Sequence, residues 1–217
     1  ISKGSELAEI MLYGLMKHKY GALPIVPKIF YKQNPKDNAK GADSVHIVLE
    51  EDGDFSLWFG EAKFYSSIED ARLGTIIESV GKSLKTEKLK KENSIITDLS
   101  DIDLFDIDEK LRNKIKQALN TNNSIDYLKP KLHIPILLLH QCKITENEEN
   151  MSYEYKQKII DYHLNRAQSY FEKQINLLAS EVYEYSEISF HIILFPVPNN
   201  KEIIKKFVET AQNYQKQ

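Results

Sequence analysis

The most informative part of the chain reads Phe55-Ser56-Leu57-Trp58-Phe59-Gly60-Glu61-Ala62-Lys63, an apolar run that ends in two charged residues. A β-strand directs successive side chains to opposite faces, so residues that are two apart point the same way. Glu61 and Lys63 are therefore neighbours in the same alternation series as Leu57 and Phe59, which are expected to be buried. Charges at the rim of a buried surface indicate a chemical site.

A second carboxylate stands just before the preceding predicted strand, which covers residues 44–51. Asp43 follows Lys40-Gly41-Ala42 and lies eighteen residues upstream of Glu61. Because Glu51-Asp52-Gly53-Asp54 has Asp-Gly turn chemistry, this strand and the returning strand, predicted over residues 55–65, are expected to form a hairpin. Two carboxylates and an ammonium on neighbouring strands suit a divalent metal ion and a water that it activates. The alternative is a surface aspartate with a Glu–Lys pair on a half-exposed sheet.

The rest of the pattern predicts a single α/β domain over residues 1–217, of α+β character, with a mixed sheet of about five strands flanked by helices. Helices are predicted over 5–20, from 66 or 67 to about 90, over 152–185 and over 201–214; further strands are predicted over 25–32, 132–141 and 188–197, the last two buried. The chain begins with Ile1 rather than Met, which fits the C-terminal part of a longer chain.

Composition narrows the class of protein. The 217 residues carry a net charge of −3, so nucleic-acid binding would need a local basic patch. Lys82, Lys85 and Lys88, after the hairpin, are candidates for phosphate contacts, although a solvated helix end explains them equally well. The single cysteine excludes an intrachain disulfide and fits a reducing cytoplasm. No apolar run reaches membrane-spanning length.

The pattern of Asp43 with Glu61-Ala62-Lys63, set between two helices, resembles the motif of the PD-(D/E)xK nuclease superfamily. The resemblance implies a restriction-endonuclease-like core in which Asp43, Glu61 and the Ala62 carbonyl hold Mg²⁺, for which Mn²⁺ can substitute. It also implies that Lys63 orients or deprotonates the attacking water, or stabilises the charged transition state. The proline of the motif name is absent, as in many members.

Many members of that superfamily add a catalytic carboxylate from the first helix. Glu9 is the first candidate for this role and Glu6 the second, and both flank the apolar stripe of the helix. The helix after the motif offers Arg72, Ser79 and Lys82 as neighbours of the site. The sequence leaves open which of these three faces it.

A closer resemblance rests on Gly4-Ser5-Glu6-Leu7-Ala8-Glu9, Gly41-Ala42-Asp43-Ser44-Val45-His46-Ile47 and Leu57-Trp58-Phe59-Gly60-Glu61-Ala62-Lys63-Phe64-Tyr65. These segments look like the HamA family of the bacterial Hachiman system, with AbpA-type proteins as a near alternative. The resemblance implies a DNA endonuclease or exonuclease subunit that works with a helicase-like partner of the HamB type in anti-phage defence.

Two other functions stay open. One is a catalytically silent nucleic-acid-binding or assembly module with the same fold, which the modest net charge motivates. The other is a metal-dependent nuclease that acts on RNA, because the Asp–Glu–Lys group does not itself distinguish the two nucleic acids. A nucleotide cofactor is not expected. Gly81-Lys82-Ser83 resembles the end of a P-loop, but Ile76 stands where that motif requires glycine.

Overall fold

A computed structural model describes residues 4–26, 43–85, 100–103, 105–120 and 125–215 of the chain. The described residues form α1 (Gly4–Tyr20), β1 (Leu23–Val26), β2 (Ser44–Leu49), β3 (Phe55–Tyr65), α2 (Asp70–Ser83), α3 (Ser100–Asp103), α4 (Glu109–Ala118), β4 (Leu132–Gln141), α5 (Lys143–Glu146), α6 (Tyr153–Leu178), β5 (Ser189–Val197) and α7 (Asn200–Gln215), with 3-10 turns at Ile125–Lys131 and Tyr185–Glu187.

The five strands form one mixed sheet in the order β1-β2-β3-β4-β5. β1, β2 and β3 are antiparallel neighbours, whereas β3, β4 and β5 run parallel. The β2–β3 hairpin pairs Ser44 with Gly60 and turns through Gly53, whose φ of +77° suits a residue without a Cβ atom. The predicted α+β class, with a five-stranded mixed sheet between helices, is confirmed.

Strand β3 lies at the centre of the sheet and carries an apolar core on each face. Phe55, Leu57 and Phe59 belong to the larger core, to which α2 and α6 also contribute. Trp58 and Ala62 belong to the smaller core, together with the buried side of α1. Alternate side chains of this one strand therefore belong to the two cores on its opposite faces.

Helix α1 packs closely against β3 at Gly60. A Cβ atom at this position would lie 2.6 Å from Leu12 Cδ2 and would also overlap the Ser44 hydroxyl. The missing side chain lets the helix pack directly on the strand. This close contact lies one residue before Glu61, so it sets the distance between the first helix and the charged end of the strand.

Helix α6 packs along α2 and contacts α2 near both of its ends. Asp70, the first residue of α2, accepts a hydrogen bond from Arg166 Nη1 at 2.9 Å and another from Ser169 Oγ at 3.0 Å. Near the other end, a Cβ atom on Gly81 would lie 2.6 Å from Leu178 Cδ2. The helix that follows the charged motif is therefore positioned by contacts that are distant in sequence.

Several predicted boundaries differ from the structure. β1 begins at Leu23, two residues before the predicted strand start, and residues 27–32 lie outside the described part. α2 begins at Asp70 and not at Ser66 or Ser67, and its predicted extension to about residue 90 runs into residues 86–99, also outside that part. The helix predicted over 152–185 ends at Leu178.

The prediction that the last strand is buried is wrong. β5 ends the strand order of the described sheet, most of its residues are only half-buried, and Phe195 is 42% exposed. An apolar run alone does not distinguish a central strand from an edge strand. Within the described ranges, no helix is long and apolar enough to cross a membrane.

Candidate active site

Lys63 joins the two carboxylates of the motif. Its ammonium nitrogen Nζ lies 2.6 Å from Glu61 Oε1 and 3.3 Å from Asp43 Oδ2. It also donates to the carbonyl oxygen of Ala62 at 3.3 Å. β3 presents Glu61 and Lys63 on one face, and Asp43 stands just before β2. The structure thus brings together the three side chains that the sequence singled out.

Asp43 is oriented by the backbone of the neighbouring strand. Its N–H donates to the Gly60 carbonyl at 2.7 Å, and its Oδ2 accepts a hydrogen bond from the Ala62 N–H at 2.8 Å. These bonds continue the β2–β3 pairing one residue beyond Ser44. The carboxylate is therefore held by atoms that belong to the sheet itself.

Ser79 is the residue of α2 that faces the site most directly. Its hydroxyl donates to Glu61 Oε1 at 2.6 Å, and the same oxygen receives the Lys63 ammonium. Two donors on one oxygen orient the Glu61 carboxylate, while its Oε2 takes part in neither contact. Of Arg72, Ser79 and Lys82, among which the sequence could not choose, Ser79 is thus the residue that contacts the site.

The charges of the site do not balance. Burial, followed by the charge of Glu61, raises the pKa of Asp43 to about 6 from its ordinary 3.8. The Lys63 ammonium and the Ala62 N–H lower this pKa without offsetting the rise, and Glu9 raises it further. Two partly buried carboxylates facing a single ammonium leave an excess of negative charge, which favours an additional cation.

Lys63 stays protonated in this arrangement. Burial alone would lower its pKa, but the charges of Asp43 and Glu61 outweigh burial and raise the pKa above its ordinary 10.5. A protonated lysine is a hydrogen-bond donor and a positive charge, and it has no free lone pair to accept a proton. Of the roles considered for Lys63, orienting a water and stabilising negative charge fit this state.

The donor set fits Mg²⁺ or Mn²⁺. Asp43 and Glu61 offer carboxylate oxygens and Ala62 a carbonyl oxygen, the hard ligands that such ions prefer. In the part of the chain that the structure describes, no group of three or more His, Cys, Asp or Glu side chains is arranged to hold a metal ion. The protein would therefore supply two carboxylates and one carbonyl, and Mg²⁺ commonly completes such a set with waters and substrate phosphates.

The two helix carboxylates differ in their relation to the site. α1 covers the face of the sheet opposite to Glu61, and Glu9 is half-buried on this helix. Its charge nevertheless acts on Asp43 and raises the pKa of that residue. Glu6 is not among the groups that shift Asp43, so Glu9 is the better candidate for a third carboxylate.

Tyr65 is a neighbour of the site that the motif did not reveal. It follows Glu61 and Lys63 at the spacing of two and is half-buried at the end of β3. Burial raises the pKa of Tyr65, and the charges of Lys63, Glu61 and Arg72 also act on it. Continuing the alternation of β3 by one more step would have found this residue.

Of the predicted phosphate-binding lysines, Lys82 lies in the last turn of α2 and Lys85 lies just after the helix. Lys82 and Lys85 are exposed and line a pocket of about 580 Å³ between α2 and α6, and Lys82 Nζ lies 4.0 Å from Glu78 Oε2. Lys88 lies outside the described residues. Contacts of these lysines with nucleic acid stay a prediction.

A family model described as HamA matches residues 1–211, nearly the whole length of the chain. The chain belongs to the HamA family. Membership of this family supports a role in anti-phage defence. It also implies that the protein belongs to a defence system that includes a partner. A search of curated proteins found no match. The HamA match includes α1, the β2–β3 hairpin and α2, so the candidate site lies within it.

Proposed function

We propose that this HamA protein is a Mg²⁺-dependent nuclease that hydrolyses phosphodiester bonds in DNA during anti-phage defence. It acts with a helicase-like partner of the HamB type, which the family resemblance implies. The observation that carries the proposal is the position of the Lys63 ammonium between Asp43 and Glu61. The pKa of Asp43, about 6, adds support: burial is the first cause of the rise and the charge of Glu61 the second, and the Lys63 ammonium does not offset them.

Each side chain has a defined part in the proposed reaction. Asp43 and Glu61, with the Ala62 carbonyl, would hold the ion, which when bound lowers the pKa of a water and offsets charge on the scissile phosphate. Ser79 keeps the Glu61 carboxylate in one orientation. The protonated Lys63 donates to the attacking water or to a phosphate oxygen as negative charge develops in the transition state.

Cleavage assays with two variants test the proposal. Glu61→Gln removes a charged ligand and Lys63→Ala removes the ammonium, and each is expected to slow cleavage by about 100-fold or more. Circular, linear and single-stranded DNA are incubated with Mg²⁺ or Mn²⁺, with and without the partner protein. Lys205→Ala is the matched control, because it removes an exposed lysine from α7. If both site variants cleave at the wild-type rate, the assignment is wrong.

The choice of DNA over RNA needs its own arm of the assay. In this proposal the residues of the site act on a phosphate, and none is assigned to the 2′-hydroxyl that lets a protein distinguish RNA from DNA. DNA and RNA oligonucleotides of the same sequence are therefore compared directly. If the RNA is cleaved faster, RNA replaces DNA as the proposed substrate, and the proposed chemistry is unchanged.

A catalytically silent nucleic-acid-binding module is the second candidate function. The Lys63 contacts that carry the first proposal also admit this one, because the ammonium already engages the carboxylate and carbonyl oxygens that a metal ion would need. Calorimetric titration with Mn²⁺ separates the two. Undetectable metal binding together with retained DNA binding would favour the module, whereas binding that Glu61→Gln abolishes would favour the nuclease.

A further inference from the structure

Two pairs of side chains connect α2 with β3 on the face of the candidate site. The first pair is Ser79 and Glu61, which share a hydrogen bond of 2.6 Å. The second is Arg72 and Tyr65, which share no hydrogen bond; the charge of Arg72 acts to lower the pKa of the Tyr65 phenol, which burial raises. Arg72 and Ser79 are seven residues apart, so they share one side of the helix and are separated by about 10 Å along its axis. A second cluster of polar groups therefore adjoins the first.

Arg72 differs from the other arginines of the chain in how its charge is used. Arg166 forms an ion pair with Asp70 at 2.9 Å, and Arg112 lies 4.0 Å from Asp103. None of the ion pairs formed within the described residues includes Arg72, and its side chain is exposed. With respect to the described residues, its five N–H donors are thus available to an anion that approaches this side of the sheet.

Tyr65 contributes a neutral donor at the same place. Its ring packs against the larger core, and its position after Glu61 and Lys63 puts it on their side of β3. Tyrosine hydroxyls, like guanidinium groups, commonly bind the phosphate oxygens of nucleic acids. The two donors are of different kinds, one charged and one neutral, which allows their contributions to be separated by experiment.

We propose that Tyr65 and Arg72 bind a second phosphate of the nucleic-acid backbone, beside the phosphodiester that lies at Asp43, Glu61 and Lys63. The inference rests on the proposed function and sharpens it. The substrate is a polynucleotide held at more than one phosphate, in preference to an isolated phosphodiester. The guanidinium contacts two phosphate oxygens through its planar fork, and the phenol hydroxyl donates to the same group.

Binding without cleavage gives the first test. The probe is a fluorescent single-stranded DNA oligonucleotide in EDTA, and its anisotropy is followed over a range of salt concentrations. Arg72→Ala is expected to weaken binding several-fold and to reduce the slope of log affinity against log salt by about 1. Tyr65→Phe weakens binding without changing the slope, since it removes a neutral donor. Lys205→Ala serves as the control. Wild-type affinity and slope for Arg72→Ala would overturn the proposal.

Cleavage kinetics give the second test. With DNA as substrate, Arg72→Ala and Tyr65→Phe are expected to raise KM and to leave kcat within about twofold. With bis(4-nitrophenyl) phosphate, which contains a single phosphodiester, both variants should lose much less of their rate than they lose with DNA. A general distortion of the site would slow both substrates, so equal losses on the ester and on DNA would overturn the proposal.

These tests separate the second phosphate site from the nuclease assignment. A protein that cleaves nothing, but whose affinity and salt slope fall in Arg72→Ala, keeps the second phosphate site and loses the nuclease assignment. A working nuclease whose Arg72→Ala variant retains its KM and salt slope loses the second phosphate site alone. Arg72→Lys adds a refinement, because it keeps the charge but loses the fork; it should restore the salt slope and only part of the affinity.

Discussion

Asp43 carries a charge that this fold accommodates poorly. Its carboxylate is 20% exposed, lies beside Glu61, and has Lys63 as its ion-pair partner. Burial comes first among the causes that raise its pKa to about 6, against 3.8 ordinarily. A raised pKa means that the folded chain holds the proton of Asp43 more tightly than the unfolded chain does. Ionisation of this residue therefore works against folding.

Asp43→Asn should consequently stabilise the metal-free protein at pH 8. The gain is about 1–3 kcal/mol in the free energy of unfolding, because the variant removes a buried charge but keeps an acceptor for the Ala62 N–H. The contribution of the protonated carboxyl is fully present below pH 3.8 and is lost as the pH rises through about 6. The advantage of the variant should therefore vanish at pH 4. Urea unfolding in EDTA at both pH values measures it, and a difference independent of pH would contradict the prediction.

Ser79 is expected to act through Glu61. Removing its hydroxyl in Ser79→Ala leaves the Glu61 carboxylate with the Lys63 ammonium as its remaining donor of the two. Loss of such a supporting group commonly costs about 10- to 100-fold in metal affinity or activity. A Mg²⁺ titration of the cleavage rate measures this, with Thr75→Ala as the control because Thr75 is exposed on the same helix. Equal rates for both variants would remove Ser79 from the site.

The helices and strands predicted best are those whose ends are marked by neighbouring residues in the sequence. β3 and β4 match their predicted bounds of 55–65 and 132–141, because turn residues and charges enclose each apolar run. The start of α2 was predicted at Ser66 or Ser67, whose side chains favour helix caps. The helix begins at Asp70 instead, where Arg166 and Ser169 bind its carboxylate. A contact across about a hundred residues leaves no local trace.

The contact between α1 and β3 predicts opposite effects for two glycine substitutions. Gly60→Ala places a methyl group against Leu12 and Ser44, and it should destabilise the chain by about 1–3 kcal/mol. Gly14→Ala on α1 has no atom within 4 Å of the added Cβ, and it should stabilise the helix by about 0.5–1 kcal/mol. Denaturant unfolding of both variants tests this pair. If Gly60→Ala is neutral, α1 does not pack on β3 as described.

For the whole molecule, the sequence predicted the part of the site that lies on one hairpin. Asp43, Glu61 and Lys63 follow from strand alternation and turn chemistry, which are local. Ser79 and the nearness of Arg72 to Tyr65 depend on how α2 returns over the sheet, a tertiary arrangement that the helical period of α2 does not contain. The class of fold was therefore easier to predict than the complete surroundings of the motif.

The two cores should unfold together, because both are built on β3 and β4. The single tryptophan, Trp58, belongs to the smaller core, whereas far-UV circular dichroism reports on all helices. The urea transitions followed by Trp58 fluorescence and by far-UV circular dichroism are therefore expected to coincide. Leu12→Ala, which opens the smaller core, should lower both midpoints equally. Separate transitions would show that the α1 side unfolds independently.

Because β3 contributes side chains to both cores, insertions within this strand have different effects depending on their length. Phe59, Glu61 and Lys63 face one side of the strand while Trp58 and Ala62 face the other. Inserting one residue after Phe59 would turn the charged pair toward α1 and an apolar side chain toward the site, whereas inserting two would keep every side chain on its own face. Between Phe59 and Lys63, a change of length by an odd number of residues would therefore exchange the two faces of the strand.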